Sequence, residues 1–180
     1  VQPVLGQREV AGRAADGDLH FKLDEIAEKG IKQALDNLRS RGVKLAYFSE
    51  KEGKVIKKDQ HPEVLLVIDP VDGSRPAKCG FPHWCVNIAA APYKENATLA
   101  DVQWSLMKSA NGHEIYAEKG KGIVQSNAKG NPSDYKPSAA TTLEDASLIL
   151  EVCGNEQTLA GLIYAPLIAK TWSRGVFVVS

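Results

Sequence analysis

Apolar residues recur at helical spacing in residues 24 to 40, DEIAEKGIKQALDNLRS, where Ile26, Ala27, Ile31, Ala34, Leu35 and Leu38 fall largely on one face. With charges elsewhere and Gly42 just past the end, this predicts an amphipathic helix opening near Asp24. VKLAYFSE and EVLLVID are apolar runs of strand length, ending at Glu50 and Asp69. The second is too continuous to be half exposed, which predicts a central strand covered on both faces. HWCVNIAAAPY, LADVQWSLMK and HEIYAEKGKGIVQS follow as a meander separated by Gly, Asn and Lys turns, so a mainly antiparallel sheet of five or six strands is expected. After the polar stretch NAKGNPSDYKPSAATTLEDA the pattern changes to a strand (SLILEV), a helix (EQTLAGLIYAPLIAKTW, with Pro166 as a kink or break) and a strand (GVFVVS). That order predicts a parallel pair joined by a crossover. The fold class expected is α+β: helices packed on a mainly antiparallel sheet over residues 1–130, then an incomplete α/β second domain over 131–180.

Composition narrows the partners. Of 180 residues 43% are hydrophobic and 24% charged, with Lys plus Arg equal to Asp plus Glu at 22 each. No global field draws such a chain to a nucleic acid polymer or a membrane, and an anionic ligand must be held locally. No apolar run approaches the roughly 20 residues of a membrane helix, and VQPVLGQREVAGRAADG lacks the charged-then-apolar order of a signal peptide. A cytoplasmic protein is the expectation. Three cysteines, Cys79, Cys85 and Cys153, form no C-x-x-C pair and read as buried free thiols. His20, His61, His83 and His113 lie singly, so no histidine catalysis is expected. Trp84, Trp104 and Trp172 fall in apolar patterns and read as core or interface.

VLLVIDPVDGSRP, residues 64–76, runs an apolar strand into two carboxylates, Asp69 and Asp72, with Gly73 and Ser74 next. Carboxylates at short spacing with a backbone carbonyl between them supply the hard oxygen ligands that magnesium prefers, and Glu50 can add a third. Adjacent negative charges repel by about 1 to 4 kcal/mol at roughly 4 Å, a cost that a cation removes. Asp-Pro and Asp-Gly are also ordinary turn dipeptides, so the loop alone fits either turn chemistry or a cation site.

The surrounding motifs separate the two. VIDPVDGSRP resembles the metal loop D-P-[ILV]-D-G-[TS] of the inositol monophosphatase and archaeal fructose-1,6-bisphosphatase superfamily of magnesium-dependent, lithium-sensitive phosphatases. YFSEKEG is similar to its strand-end glutamate motif and FKLDEIAEKGI to the opening of its aspartate-bearing helix. CGFPHWCVNIAA is similar to G-[FI]-P-x-x-x-[VF]-S-[IL], and AEKGKGIVQSN to its later glycine hairpin. The resemblance implies a sugar-phosphatase-like fold and hydrolysis of a small phosphate monoester by water activated at Mg²⁺. It implies metal ligation by Glu50, Asp69 and Asp72 through side chains and by Val71 through its carbonyl. Asp24 and Ser74 would orient and deprotonate the water, with Gly73, Ser74 and Arg75 on the phosphate.

Several features depart from the family pattern. Lys51 follows Glu50 where many members carry a second glutamate, and RPAKCGFP places Arg75 and Lys78 near the site, where they would bind a second anionic group or serve only as solvated surface. No W-D-x-A-[AS]-G motif occurs before Ser180, so the chain is expected to cover the first domain and the start of the second, and to be impaired as a catalyst alone. The edge left by GVFVVS should seek cover, with a homodimer as the expected assembly. Two alternatives stay open: a bisphosphate nucleotidase or fructose-1,6-bisphosphatase activity, and a non-catalytic chain that keeps the fold.

Overall fold

The helical pattern forms α1 (Lys22–Ser40) in the computed structural model, which describes residues 10–13, 19–57, 61–127, 138–143, 145–146, 148–151, 157–171 and 176–179. Asp24 and Glu25 lie in its first turn and Arg39 in its last, charges that complement the helix dipole at each end. At the C-terminus Val43 N–H donates to Leu38 O at 3.2 Å and Gly42 N–H to Arg39 O at 2.9 Å. Gly42 sits at φ 88°, the left-handed stop that a residue without Cβ adopts freely.

The buried face of α1 is the expected one only in part: Ala27 and Leu35 are buried and Ile31 packs on the core, but the rest of the stripe is shifted. Leu23, Ala27, Glu28 and Leu35 are buried, whereas Ile26 and Leu38 are each 38% exposed and Ala34 is exposed. The stripe is rotated toward Leu23 and takes in a carboxylate. A count of apolar positions assigns any glutamate to the wet face, so it misplaces the phase of a helix that buries one.

Ahead of α1, β1 (Val10–Arg13) and β2 (Leu19–Phe21) pair antiparallel. The main sheet is built from β3 (Leu45–Ser49), β4 (Gly53–Val55), β5 (Val64–Asp72), β6 (Cys85–Pro92), β7 (Trp104–Ser109), β8 (Glu114–Glu118) and β9 (Gly122–Asn127). Their order is β4-β3-β5-β6-β7-β8-β9. Only β3 and β5 are parallel, so the sheet is mainly antiparallel, as expected, with more strands than the five or six read from the sequence. Leu35 packs with Leu45, Tyr47 and Ile68, with Ile31 and Leu66 against them. At about 1.5–3 kcal/mol for each fully buried large aliphatic side chain, this cluster ties α1 to the two parallel strands. Between β5 and β6 the short helix α2 (Ser74–Lys78) follows the D-P-V-D-G turn.

Two readings of the sequence need correction here. β5 is not covered along both faces: Val67 is 42% exposed and Phe48 on neighbouring β3 is 45% exposed. A continuous apolar run marks a strand inside a sheet but carries no information on which layers lie over it. Cys79, expected to be buried, is exposed at the end of α2, and Cys85 is part-buried; Cys153 and Trp172 lie outside the described residues. Trp84 packs against the buried cluster of Leu23, Ala27, Val71 and Ala77, whereas Trp104 is 44% exposed and so is not core, which leaves the interface half of its reading open.

The chain divides into the units Val1–Tyr135 and Lys136–Ser180. In the second, β10 (Leu148–Glu151) and β11 (Val176–Val179) pair in parallel, with α3 (Gln157–Thr171) between them in sequence. α3 runs through Pro166, so the proline removes one intrahelical hydrogen bond without dividing the helix. Among the described residues no helix is long and apolar enough to cross a membrane.

Candidate active site

Asp69 and Asp72 are three residues apart, and in a regular strand that spacing points side chains to opposite faces. The register removes the conflict: Asp69 pairs with Asn87 and Asp72 with Cys85, so three steps on β5 match two on β6. The extra residue makes a bulge between Asp69 and Asp72, a span in which Pro70 has no N–H to give to a ladder. Because Asn87 and Cys85 share a face of β6, the bulge brings both aspartates to that face.

The two carboxylates have different surroundings. Asp69 is half-buried and accepts from Val71 N–H at 3.1 Å. Burial, first, and then the charges of Asp72, Asp24 and Glu28 push its carboxyl above the usual aspartate range, against the lowering pull of the Val71 N–H. Asp72 is exposed and accepts from Asn87 Nδ2 at 2.8 Å and Cys85 Sγ at 3.6 Å. Burial and then the Asp72 charge push the Cys85 thiol up to about 11, so it stays a protonated donor at neutral pH.

Ser74, at the start of α2, donates from Oγ to Asp24 Oδ1 of α1 at 2.7 Å and lies 3.0 Å from Val71 O. A hydroxyl has one proton, and the carboxylate is the stronger acceptor. The contact joins residues 50 apart in sequence. Gly73 makes the turn possible, with φ 93° and a position where a Cβ would fall 2.6 Å from His83 O. Gly73→Ala is therefore expected to destabilise the chain by about 1–3 kcal/mol, visible as a lower denaturation midpoint in urea. An unchanged midpoint would show that the turn tolerates a side chain.

Glu50 follows Ser49, and Ser49 pairs with Ile68 across the parallel strands, which carries Glu50 to the same sheet end as Asp69. Its turn is tied to α1. Glu52 accepts from Tyr47 Oη and pairs with Lys32 Nζ at 2.5 Å, while Lys51 pairs with Glu25 at 3.5 Å. Glu52 is thus occupied with holding the turn. Lys32 and then Tyr47 keep its carboxyl below the ordinary value, so this contribution to stability is present above the ordinary glutamate pKa and is lost as pH falls through the lowered one. Tyr47→Phe is expected to cost about 1–2 kcal/mol at neutral pH and progressively less in acid. A deficit independent of pH, in melts between neutral and acidic buffer, would remove Glu52 from the explanation.

Asp24, Ser74, Asp69, Val71, Asp72 and Gly73 are brought together, with Arg75 and Lys78 on the adjoining α2. Glu50 reaches the same edge without closing a ready triad: among the described residues no three His, Cys, Asp or Glu side chains are gathered closely enough to hold a metal ion. The donor set nevertheless fits a hard divalent cation. All its donors are oxygens, and the neighbouring charges that act most on half-buried Asp69 are negative. Two participants escaped sequence reasoning. Glu28 is 5% exposed, and its Oε2 is buried without a hydrogen-bond partner among the described residues; the available signal was its place four residues after Asp24, one turn along the same helix. Asn87 was signalled as a polar position inside the apolar strand CVNIAAAP.

No family model matches the chain. It is 28% identical over 163 residues to the bifunctional NADP phosphatase/NAD kinase of Methanococcus maripaludis, covering 82% of this chain and 28% of that protein. It is 29% identical over 157 residues to the fructose-1,6-bisphosphatase/inositol-1-monophosphatase of Methanothermobacter thermautotrophicus, covering 82% and 53%. The chain thus spans about half, or less, of the curated relatives it matches. Among solved structures, the inositol monophosphatase (IMPase) of Thermotoga maritima superposes with a TM-score of 0.70 at 20% identity, covering 98% of this chain and 61% of that one. The fold is the one seen in that inositol monophosphatase structure, and the names of both relatives found by sequence include a phosphatase, in agreement with the resemblance carried by D-P-V-D-G-S.

Proposed function

We propose that the protein is a magnesium-dependent phosphatase acting on a small phosphate monoester. The observation that carries this reading is the Ser74–Asp24 hydrogen bond of 2.7 Å, formed beside two carboxylates on one face of a bulged strand. A serine whose proton is drawn to a carboxylate keeps its lone pairs available to accept from a water, and Asp24 is then the place where the proton ends. Asp69, Asp72 and the Val71 carbonyl would hold the cation, with Glu50 completing the set from the neighbouring strand end. Magnesium bound there would lower the pKa of the attacking water and neutralise charge developing on the phosphoryl group. Gly73 and Ser74 would offer backbone N–H groups to the phosphate, and Arg75 a cationic side chain.

Inositol monophosphate is the first candidate substrate. Fructose 1,6-bisphosphate and NADP follow from the names of the curated relatives, and a 3'(2'),5'-bisphosphate nucleotide from the same chemistry. A non-catalytic chain that keeps the fold is the rival reading, favoured by the lack of a ready three-acid group among the described residues. Phosphate release from these four compounds, with millimolar magnesium or with chelator, separates the two. Magnesium-dependent release from at least one is expected. Magnesium binding without release from any would leave the non-catalytic reading standing.

A further inference from the structure

We propose that Asn87 is a positioning residue that aims Asp72 at the cation, an inference that rests on the metal-site reading above. Asp72 ends a bulged strand and is exposed, so the backbone alone leaves its carboxylate free to turn. Asn87 lies two residues along β6 from Cys85, the register partner of Asp72, and is itself the partner of Asp69. Its side chain therefore spans the bulge from one aspartate to the other. Asn87 Nδ2 donates to Asp72 Oδ2 at 2.8 Å, and Cys85 Sγ lies 3.6 Å from the same oxygen and 3.6 Å from Asn87 Oδ1. The three side chains close a triangle.

The chemistry of the triangle suits a ligand holder. Both contacts meet Oδ2, so together they restrict the rotation of the carboxylate through that oxygen. An amide donor fixes the carboxylate without neutralising it, whereas a lysine or arginine in the same place would compete with a cation for the charge. Cys85 cannot satisfy two acceptors with one proton, so the amide carries the orientation and the thiol supports it through Asp72 Oδ2 or Asn87 Oδ1. Outer hydrogen-bond partners of this kind set metal affinity by about 10- to 100-fold in general.

Magnesium alone is the probe, titrated into the full 180-residue chain and followed by calorimetry and by the magnesium-induced rise in melting temperature. Asn87→Leu keeps the side-chain size and removes the donor; it is expected to melt near wild type without magnesium and to bind magnesium about tenfold more weakly or worse. Asn87→Ser retains a shorter donor, the residue that the G-[FI]-P-x-x-x-[VF]-S-[IL] pattern carries at this place, and should fall between the two. If the leucine variant does not fold, the serine variant decides by its affinity relative to wild type. Wild-type affinity in the folded variants, whatever their metal-free melting temperatures, would make Asn87 merely structural and overturn the inference while the metal site stood. Absence of magnesium binding in wild type would overturn the metal-site reading itself, and this inference with it.

Discussion

Asp69→Asn is expected to raise the melting temperature of the metal-free protein and to abolish most of the stabilisation that magnesium brings. The folded carboxyl has its pKa raised, first by burial and then by Asp72, Asp24 and Glu28. The folded chain therefore holds this proton more tightly than the unfolded chain does, and stability falls as pH rises from the ordinary aspartate value through the raised one. Above the raised value the ionised group opposes folding. Asparagine removes the charge and keeps an oxygen for the Val71 N–H, which now sits 3.1 Å from Asp69 Oδ1. Magnesium reverses the sign, because a charge that destabilises the bare fold is the one a cation uses. At a concentration 100 times its dissociation constant a ligand stabilises by about 2.7 kcal/mol, roughly 5–10 °C for a chain of this size. Calorimetric melts with chelator and with magnesium measure both effects together. An equal magnesium-induced rise in wild type and variant would take Asp69 out of the cation site.

Asp24→Asn is expected to lower turnover by about 10²- to 10⁴-fold, the range of positioned acid–base catalysis, and to leave magnesium binding near wild type. Asparagine still accepts the Ser74 hydroxyl, now 2.7 Å from Asp24 Oδ1, so the connection between α1 and α2 survives. What it loses is the capacity to take up a proton. The contrast with Asp69 is the useful part: one variant should lose the metal and the other the chemistry. Ser74→Ala combined with Asp24→Asn should cost little more than either alone, since groups that act as one unit are strongly non-additive. Single-turnover phosphate release with saturating magnesium provides the measurement. Full additivity of the two losses would mean that the pair does not share a proton path.

The strands and the D-P-V-D-G-S turn were legible because their signals are local. EVLLVID reads as a strand from its own composition, Gly42 as a stop from its own position, and D-P-V-D-G-S as a turn carrying two closely spaced carboxylates from adjacent residues. The phase of α1 was legible only in part, since Ala27, Ile31 and Leu35 do face the core. Ile26 and Leu38 look like core and are 38% exposed, while Glu28 looks like surface and is 5% exposed, because helix rotation is set by the sheet it packs on. Sequence spacing also failed for the layer over β5, since the exposure of Val67 depends on what other segments do.

The sequence by itself determined which functional groups are available: hard oxygens at Asp69, Asp72 and Glu50, a hydroxyl at Ser74, an acid at Asp24, and a glycine where the turn needs one. Only the tertiary structure decided which of them meet. The bulge between Asp69 and Asp72 changes the parity of β5 and brings both to one face, the Ser74–Asp24 hydrogen bond is made across 50 residues, and Asn87 reaches Asp72 because the β5–β6 register puts it there. Register and helix rotation are collective properties of packed elements. The identity of a residue is written locally, but its partners are chosen by whichever arrangement buries the apolar faces of all the elements together.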